Sequence, residues 1–194
     1  MQRISLVKQV HERLEAQLCE GDIVIDATLG NGFDALFLAN KISPSGWLYG
    51  FDIQAEAIAA SRLKLMPYPH VRLVHASHAD MAAHIPFVWQ GKVRACLFNL
   101  GYLPGGNKQV ITQTASTLSA LTAASQLLAT DGLISIMAYP GHSGGDMETE
   151  CVAQWCQTMT RQGFQLNTLI SDATNAAAPR LFMLCKAQVP NNLL

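Results

Sequence analysis

Three polar segments of this sequence carry residue types suited to holding a nucleotide-like cofactor. The first, DATLGNG (residues 26–32), follows an apolar run, and its two glycines allow a sharp turn against a ligand. The second is Asp52, whose carboxylate can accept hydrogen bonds from both hydroxyls of a ribose. In the third, Asn99 offers an amide oxygen and Tyr102 an aromatic ring. The combination predicts a ligand site built from three separate segments.

The glycine segment has two interpretations. GNGFDA (residues 30–35) fits G-x-G-x-x-A, the fingerprint of dinucleotide-binding loops. Asp26 lies just before the loop, where its charge would repel a pyrophosphate but suit a cationic amino group such as that of S-adenosylmethionine. Alternatively, Asp26 and Asp52 serve as caps that accept backbone N–H bonds, a role that can coexist with ligand binding.

The elements that position these segments alternate between strand and helix. Strands are predicted near residues 23–28, 47–52, 71–75, 94–100, 133–139, 164–171 and 180–187, and helices at 4–19, 33–40, 55–65, 112–129 and 146–162. Acids in the first turn of the last helix, Glu148 among them, are interpreted as favouring its dipole. The pattern predicts one α/β Rossmann-like domain over 1–194, a seven-stranded mostly parallel sheet with an antiparallel C-terminal hairpin and helices on both faces.

Composition excludes several classes of protein. The 194 residues are 49% hydrophobic and 14% charged, so intrinsic disorder is excluded for most of the length. A formal net charge of −1 argues against non-specific coating of nucleic acid. We expect no membrane span and no signal peptide, because no uncharged apolar run is long enough and the N-terminus lacks an apolar core.

Cysteine and histidine usage points to a reducing compartment and to no metal. The five cysteines form no C-x-x-C pair, so they are predicted to be structural thiols of a cytoplasmic protein rather than a disulfide framework. Residues His11, His70, His75 and His84 show no spacing typical of metal ligands.

Four segments together resemble a known family: DATLGNGFD (26–34), FDIQAEAI (51–58), FNLGYLPGGNK (98–108) and YPGHSGG (139–145). The chain resembles class I S-adenosylmethionine-dependent methyltransferases, and more closely the small bacterial family labelled "putative rRNA methylase". Members of that family convert the 5-aminomethyl group of a tRNA wobble uridine, usually 2-thiolated, into 5-methylaminomethyl. The resemblance therefore implies S-adenosylmethionine as cofactor and a tRNA anticodon stem-loop as substrate.

The resemblance also assigns cofactor positions. It places Gln54 beside the adenosine and His78, which follows the third strand, near the adenine. The remaining cofactor positions are in the glycine segment and at the end of the second strand: Asp26, Gly30, Asn31, Gly32 and Asp52.

The predicted catalytic residues are Asn99, Tyr102 and His142. Methyl transfer to an amine requires an uncharged lone pair held in line with the methyl carbon, and Asn99 can accept an N–H to aim it. The Asn-x-x-Tyr spacing resembles the N-P-P-Y motif of enzymes that methylate exocyclic amines, with Tyr102 stacking on a base or lining the pocket. His142 can contact phosphate or remove a proton from the ammonium. The alternative is that Asn99 satisfies turn amides, Tyr102 packs and His142 is a solvated loop residue.

Other functions remain open at this stage. A methyltransferase of the same fold acting on rRNA or a small amine, a nicotinamide-dependent oxidoreductase and a non-enzymatic nucleotide-binding domain all fit the glycine loop. The candidates for contacts with tRNA phosphates are scattered cations: Arg3, Lys8, Arg13 and Lys108. Apolar helix faces are compatible with a homodimer.

Overall fold

The computed structural model describes residues 5–103, 105–106 and 110–187. These residues form a seven-stranded sheet in the order β3-β2-β1-β4-β5-β7-β6. The strands are β1 Ile23–Asp26, β2 Trp47–Asp52, β3 Val71–His75, β4 Val93–Asn99, β5 Leu128–Ala138, β6 Phe164–Ile170 and β7 Arg180–Lys186. The helices are α1 Leu6–Gln17, α2 Phe33–Ile42, α3 Ala55–Leu65, α4 Met81–His84, α5 Thr114–Leu127 and α6 Gly145–Arg161.

The strand directions confirm the predicted architecture. β1 to β5 pair in parallel, whereas β7 runs antiparallel to both β5 and β6. Phe182 of β7 is aligned with Ile136 on one side and with Thr168 on the other, so β7 lies inside the sheet and β6 at its edge. The predicted C-terminal hairpin is therefore present, with its second strand inserted beside β5.

Alternation along the central strands divides the core between the two faces of the sheet. Val24 packs with residues of α1, α2 and α3, including Leu14 and Leu38, whereas Ile25 packs with residues of α5 and α6 such as Leu121. Neighbouring strand residues point to opposite faces, so one four-residue strand supplies both layers. Full burial of a leucine side chain contributes roughly 1.5–3 kcal/mol, which makes these contacts the main support of the sheet.

Two regions differ from the sequence prediction. β5 begins at Leu128 rather than residue 133, because Leu128 already pairs with Val93 before the register shifts. The bulge that follows contains Asp131, whose φ of 60° is left-handed. Between β3 and β4, where no element was predicted, lie α4 and two 3-10 helices, His78–Asp80 and Phe87–Trp89.

The thiols and helices add two observations. All five cysteines are free, and burial raises the pKa of Cys156 to about 12, which keeps it an uncharged thiol in the core. Across the described ranges, no helix is both long and apolar enough to cross a membrane.

Candidate active site

A cleft of about 750 Å³ lies at the carboxyl ends of β1, β2 and β4, where α/β sheets bind ligands. Its lining brings together the predicted residues Gly30, Asn31, Gly32, Asp52, Gln54, His78, Asn99, Tyr102 and His142. Asp26 is 1% exposed and lies behind the wall that Ala27 and Thr28 form. Nine of the ten predicted site residues therefore line one cleft, and Asp26 lies behind its wall.

The loop between β1 and α2 is shaped by glycine conformations. Gly30 and Gly32 have φ values of 50° and 74°, in the left-handed region that other residues rarely occupy. A Cβ at Gly32 would lie 2.6 Å from Oγ of Ser61, whose hydroxyl donates to the carbonyl of Gly30 at 3.0 Å. The loop therefore packs closely on α3 and presents its backbone to the cleft.

Asp52 holds this loop and also faces the cleft. Its Oδ2 accepts from the Gly30 N–H and its Oδ1 from the Gln54 N–H, each at 2.9 Å. A carboxylate has about four acceptor positions, so capacity for ligand hydroxyls remains. Ile53, which sequence reasoning overlooked, is 55% exposed in the same cleft and offers an apolar surface to a ring. The capping role is present, and it is compatible with ribose binding.

Asp26 is a buried acid rather than part of the cleft surface. Its Oδ1 accepts from the Thr28 N–H at 3.2 Å, and its Oδ2 is buried without a hydrogen-bond partner among the described residues. Burial, with added repulsion from Asp34 and Asp52, raises its pKa from 3.8 to about 8. Asp26 therefore has the loop-capping role in this structure, and its contact with a ligand amino group stays a prediction.

The buried acid predicts how stability depends on pH. Between pH 3.8 and about 8 the folded protein keeps the proton of Asp26 that the unfolded chain releases. The free energy of unfolding should therefore fall as pH rises through this window, by up to about 1.4 kcal/mol per unit from this group. Asp26→Asn should remove that contribution, and urea unfolding across the window should show it. Exposed Asp80→Asn is the matched control, and parallel curves for the wild type and Asp26→Asn would refute the assignment.

Asn99 lies at the end of β4 in a chain of hydrogen bonds. Its backbone N–H donates to Oγ1 of Thr28 at 2.6 Å, and its side-chain Nδ2 donates to Oδ2 of Asp34 at 2.8 Å. Oδ1 of Asp34 accepts from Nε2 of His11 at 2.8 Å. Sequence reasoning missed the roles of Asp34 and His11, although Asp34 ends the quoted segment 26–34, because the partners are far apart along the chain.

An aromatic group forms the other end of the cleft. The rings of Tyr102 and His142 meet edge to face, with centroids 6.3 Å apart, and Tyr139 lines the cleft beside Gly101. Nδ1 of His142 donates to the Ser143 carbonyl at 3.1 Å, whereas its Nε2 is buried without a partner in the described part of the chain. A carbonyl only accepts, so Nδ1 is the donor in this bond and Nε2 is the ring nitrogen left for a further hydrogen bond.

The segment after β4 is anchored by a buried acid. Gly101 and Thr112 exchange two hydrogen bonds, in which Gly101 N donates to Thr112 Oγ1 and Thr112 N donates to Gly101 O, each at 2.9 Å. Glu148, 3% exposed, accepts from the hydroxyls of Thr112 and Thr117 at 2.7 Å each. The interpretation of Glu148 as a residue that favours the helix dipole is therefore incomplete, because it also fixes the loop that carries Tyr102.

A comparison with known protein families shows which family this chain belongs to. Residues 48–186 match the family described as "Putative rRNA methylase". The chain belongs to this family.

This member of the rRNA methylase family has relatives in a plant and in bacteria. It is 40% identical over 153 residues to the chloroplastic tRNA (mnm(5)s(2)U34)-methyltransferase of Arabidopsis thaliana, covering 73% of this chain and 55% of that protein. It is 33% identical over 82 residues to ribosomal RNA small subunit methyltransferase H of Syntrophus aciditrophicus, covering 42% of this chain and 26% of that protein. The chain thus spans about half or less of these two relatives.

Solved structures match over nearly the whole chain. A putative rRNA-methylase from Clostridium thermocellum superposes with a TM-score of 0.88 at 33% identity, covering 96% of this chain and 100% of that one. A putative methyltransferase from Streptococcus mutans, solved with S-adenosylhomocysteine, gives 0.83 at 31% identity, covering 94% and 98%. These matches confirm the predicted family and class I methyltransferase fold, and the bound S-adenosylhomocysteine agrees with the predicted cofactor.

The other two residues predicted to contact adenosine, His78 and Gln54, lie on different parts of the cleft lining. His78 is 8% exposed at the back wall, where Nδ1 donates to the Ala27 carbonyl at 3.2 Å and burial lowers its pKa below 6.5. Gln54 precedes α3 at its N-cap position and lines the cleft. Their contacts with adenosine stay predictions. Pro104, Asn107, Lys108 and Arg3 lie outside the described residues.

Proposed function

We propose that this protein binds S-adenosylmethionine in the cleft and methylates the primary amine of 5-aminomethyluridine, 2-thiolated or not, at the wobble position of tRNA. The observation that carries the proposal is that two residues lining one cleft, His142 and Asn99, each carry a hydrogen-bond acceptor to which no described residue donates. Nε2 of His142 has no partner among the described residues, and no described residue donates to Oδ1 of Asn99. An amine or ammonium supplies the N–H groups that two such acceptors require.

The residues on the β1 and β2 side fit the cofactor. The left-handed glycines keep the loop backbone open to the cleft, Asp52 keeps acceptor capacity for ribose hydroxyls, and Ile53 offers an apolar face to a ring. When bound, S-adenosylmethionine supplies a methyl group already activated by a positive sulfur.

Replacing Asp52 tests this side of the cleft. Asp52→Asn keeps the volume and one acceptor oxygen but loses the charge, so the affinity for S-adenosylhomocysteine should fall by about 1–3 kcal/mol. Isothermal titration measures the affinity, and the melting temperature reports on the loop. Glu56→Gln, an exposed acid on α3, is the matched control. Unchanged affinity in a folded Asp52→Asn protein would remove this carboxylate from the site.

The residues on the β4 and β5 side prepare the amine. Nε2 of His142 accepts the proton of the substrate ammonium, since only the uncharged amine has a lone pair to donate. Oδ1 of Asn99 accepts an N–H of that amine and aims its lone pair. Tyr102 and Tyr139, 41% and 38% exposed, hold the uracil ring between apolar faces that also displace water.

The relatives support tRNA over rRNA as substrate. The Arabidopsis relative, named a tRNA (mnm(5)s(2)U34)-methyltransferase, matches 73% of this chain, whereas the Syntrophus relative named for ribosomal RNA matches 42%. Ribosomal RNA is the second candidate because the Syntrophus relative is named ribosomal RNA small subunit methyltransferase H. We expect the substrate to be contacted at its anticodon stem-loop. Of the four cations predicted to contact tRNA phosphates, Lys8 and Arg13 lie within the described residues, on α1. A cytoplasmic location and a homodimer remain proposals.

Two measurements test the proposal in sequence. Titration with S-adenosylmethionine, S-adenosylhomocysteine and the nicotinamide dinucleotides should show binding of the first two alone. Labelled methyl transfer should then be compared on tRNA and on small-subunit rRNA, both from cells lacking the protein. Label in tRNA supports the proposal, label confined to rRNA favours the second candidate, and binding of a nicotinamide dinucleotide alone would contradict methyl transfer.

A further inference from the structure

We infer that Asp34, held by His11, positions Asn99 so that the cleft presents an acceptor oxygen and selects a methyl acceptor that donates a hydrogen bond. The inference rests on the proposed function, since it explains why the site takes an amine. Asp34 and His11 both lie outside the segment 48–186 that matches the family. Neither residue was singled out by the sequence patterns for this role.

The polarity of the Asn99 amide follows from its partner. An ionised carboxylate can only accept hydrogen bonds, so the group that faces Oδ2 of Asp34 at 2.8 Å must be the NH₂ group. Oxygen and nitrogen occupy opposite sides of the planar amide, so Oδ1 is turned away from Asp34. The bond from the Asn99 N–H to Thr28 fixes the backbone as well, at 2.6 Å. While Asp34 is ionised, the Asn99 amide is therefore restricted to one orientation, with Nδ2 towards Asp34 and Oδ1 away from it.

Asp34 is itself held in place by the first helix. His11 donates to its Oδ1 at 2.8 Å and stacks on Phe37, with ring centroids 4.1 Å apart and planes 1° from parallel. Phe37 lies one turn beyond Asp34 on α2, so the imidazole contacts both side chains of one helix face. With both oxygens engaged, the carboxylate has little freedom to rotate. α1 thereby contributes to the site without lining the large cleft.

A direct role for Asp34 is the competing explanation. Asp34 lines the cleft and its side chain is 24% exposed, so the carboxylate could instead bind the substrate ammonium itself. Positioning of Asn99 and direct binding of the ammonium predict different results when the side chains at positions 34 and 99 are exchanged. A positioning role depends on one donor and one acceptor being paired between the two residues, whereas direct binding depends on a carboxylate at Asp34.

A swap of the two side chains separates these roles. Asn99→Asp alone places two carboxylates in contact and should lower kcat by about 100-fold or more. The double variant, Asn99→Asp with Asp34→Asn, restores the hydrogen bond with donor and acceptor exchanged and leaves a carboxylate oxygen facing the amine. It should recover about tenfold or more over Asn99→Asp, with the KM for S-adenosylmethionine unchanged in all variants. Asp80→Asn combined with Asn99→Asp is the matched control and should recover nothing.

A spectroscopic measurement tests the arrangement independently of methylation. In wild-type protein labelled with ¹⁵N, one side-chain amide proton of Asn99 should resonate downfield because it is donated to a carboxylate, and Asp34→Leu should remove that shift. If the wild type methylates no 5-aminomethyluridine, the proposed function fails while this signal still decides the inference. An amide signal insensitive to Asp34→Leu, or a double variant no faster than Asn99→Asp in an active enzyme, would overturn the positioning role.

Discussion

Asn99→Ala is expected to lower kcat for tRNA methylation by about 100-fold or more, while the affinity for S-adenosylhomocysteine stays nearly unchanged. In the proposed mechanism, Oδ1 of Asn99 aims the amine in the transition state, whereas the loop after β1 and Asp52, which line another part of the cleft, hold the cofactor. Single-turnover methylation of tRNA bearing 5-aminomethyluridine gives the rate, and isothermal titration gives the affinity separately.

The control for this variant is Asn167→Ala, an exposed asparagine on the edge strand β6. It should leave both rate and affinity unchanged. An Asn99→Ala protein that methylates at the wild-type rate would show that the end of β4 is structural. The amine site would then have to lie nearer Tyr139 and His142.

His142→Ala is expected to lower the rate by about 10²–10⁴-fold at neutral pH and by less at alkaline pH. The pH dependence is expected because alkaline solution supplies the uncharged amine that, in the proposed mechanism, Nε2 of His142 generates at neutral pH. The rate should be measured across pH for the wild type, His142→Ala and the volume-preserving His142→Gln. Exposed His84→Ala is the matched control.

The pH profile also distinguishes proton removal from packing. The side chain of His142 contacts the ring of Tyr102, so a packing role would lower the rate equally at every pH. Recovery by His142→Gln with no change in pH dependence would support packing and contradict the general base.

Sequence patterns predicted the fold well because they reflect local geometry. Val24 and Ile25 point to opposite faces of the sheet, and each face packs on apolar helices. Because both faces are buried, the strand is recognisable in the sequence as a short continuous apolar run. Gly30 and Gly32 marked a turn that only glycine forms easily, and both have left-handed φ values. Because strand ends of a parallel sheet share one edge, the position of the cleft followed from these elements.

What the sequence could not show are pairings made across long separations. Asn99 contacts Asp34, 65 residues away, and Glu148 contacts Thr117, 31 residues away. No spacing rule relates such residues, since the whole fold sets the distance between them. Asp26 shows the same limit, because an acid next to a glycine loop can line a cleft or lie 1% exposed behind it, depending on how the loop packs.

The most direct test of the account is the identity of the methylated nucleoside. Purified protein should be incubated with S-adenosylmethionine and tRNA that carries 5-aminomethyluridine, and the nucleosides should then be separated and identified by mass spectrometry. We expect 5-aminomethyluridine to be converted to 5-methylaminomethyluridine, and we expect the Asn99→Ala protein to leave it largely unconverted. Methyl groups found on another nucleoside, while 5-aminomethyluridine remains intact, would contradict it.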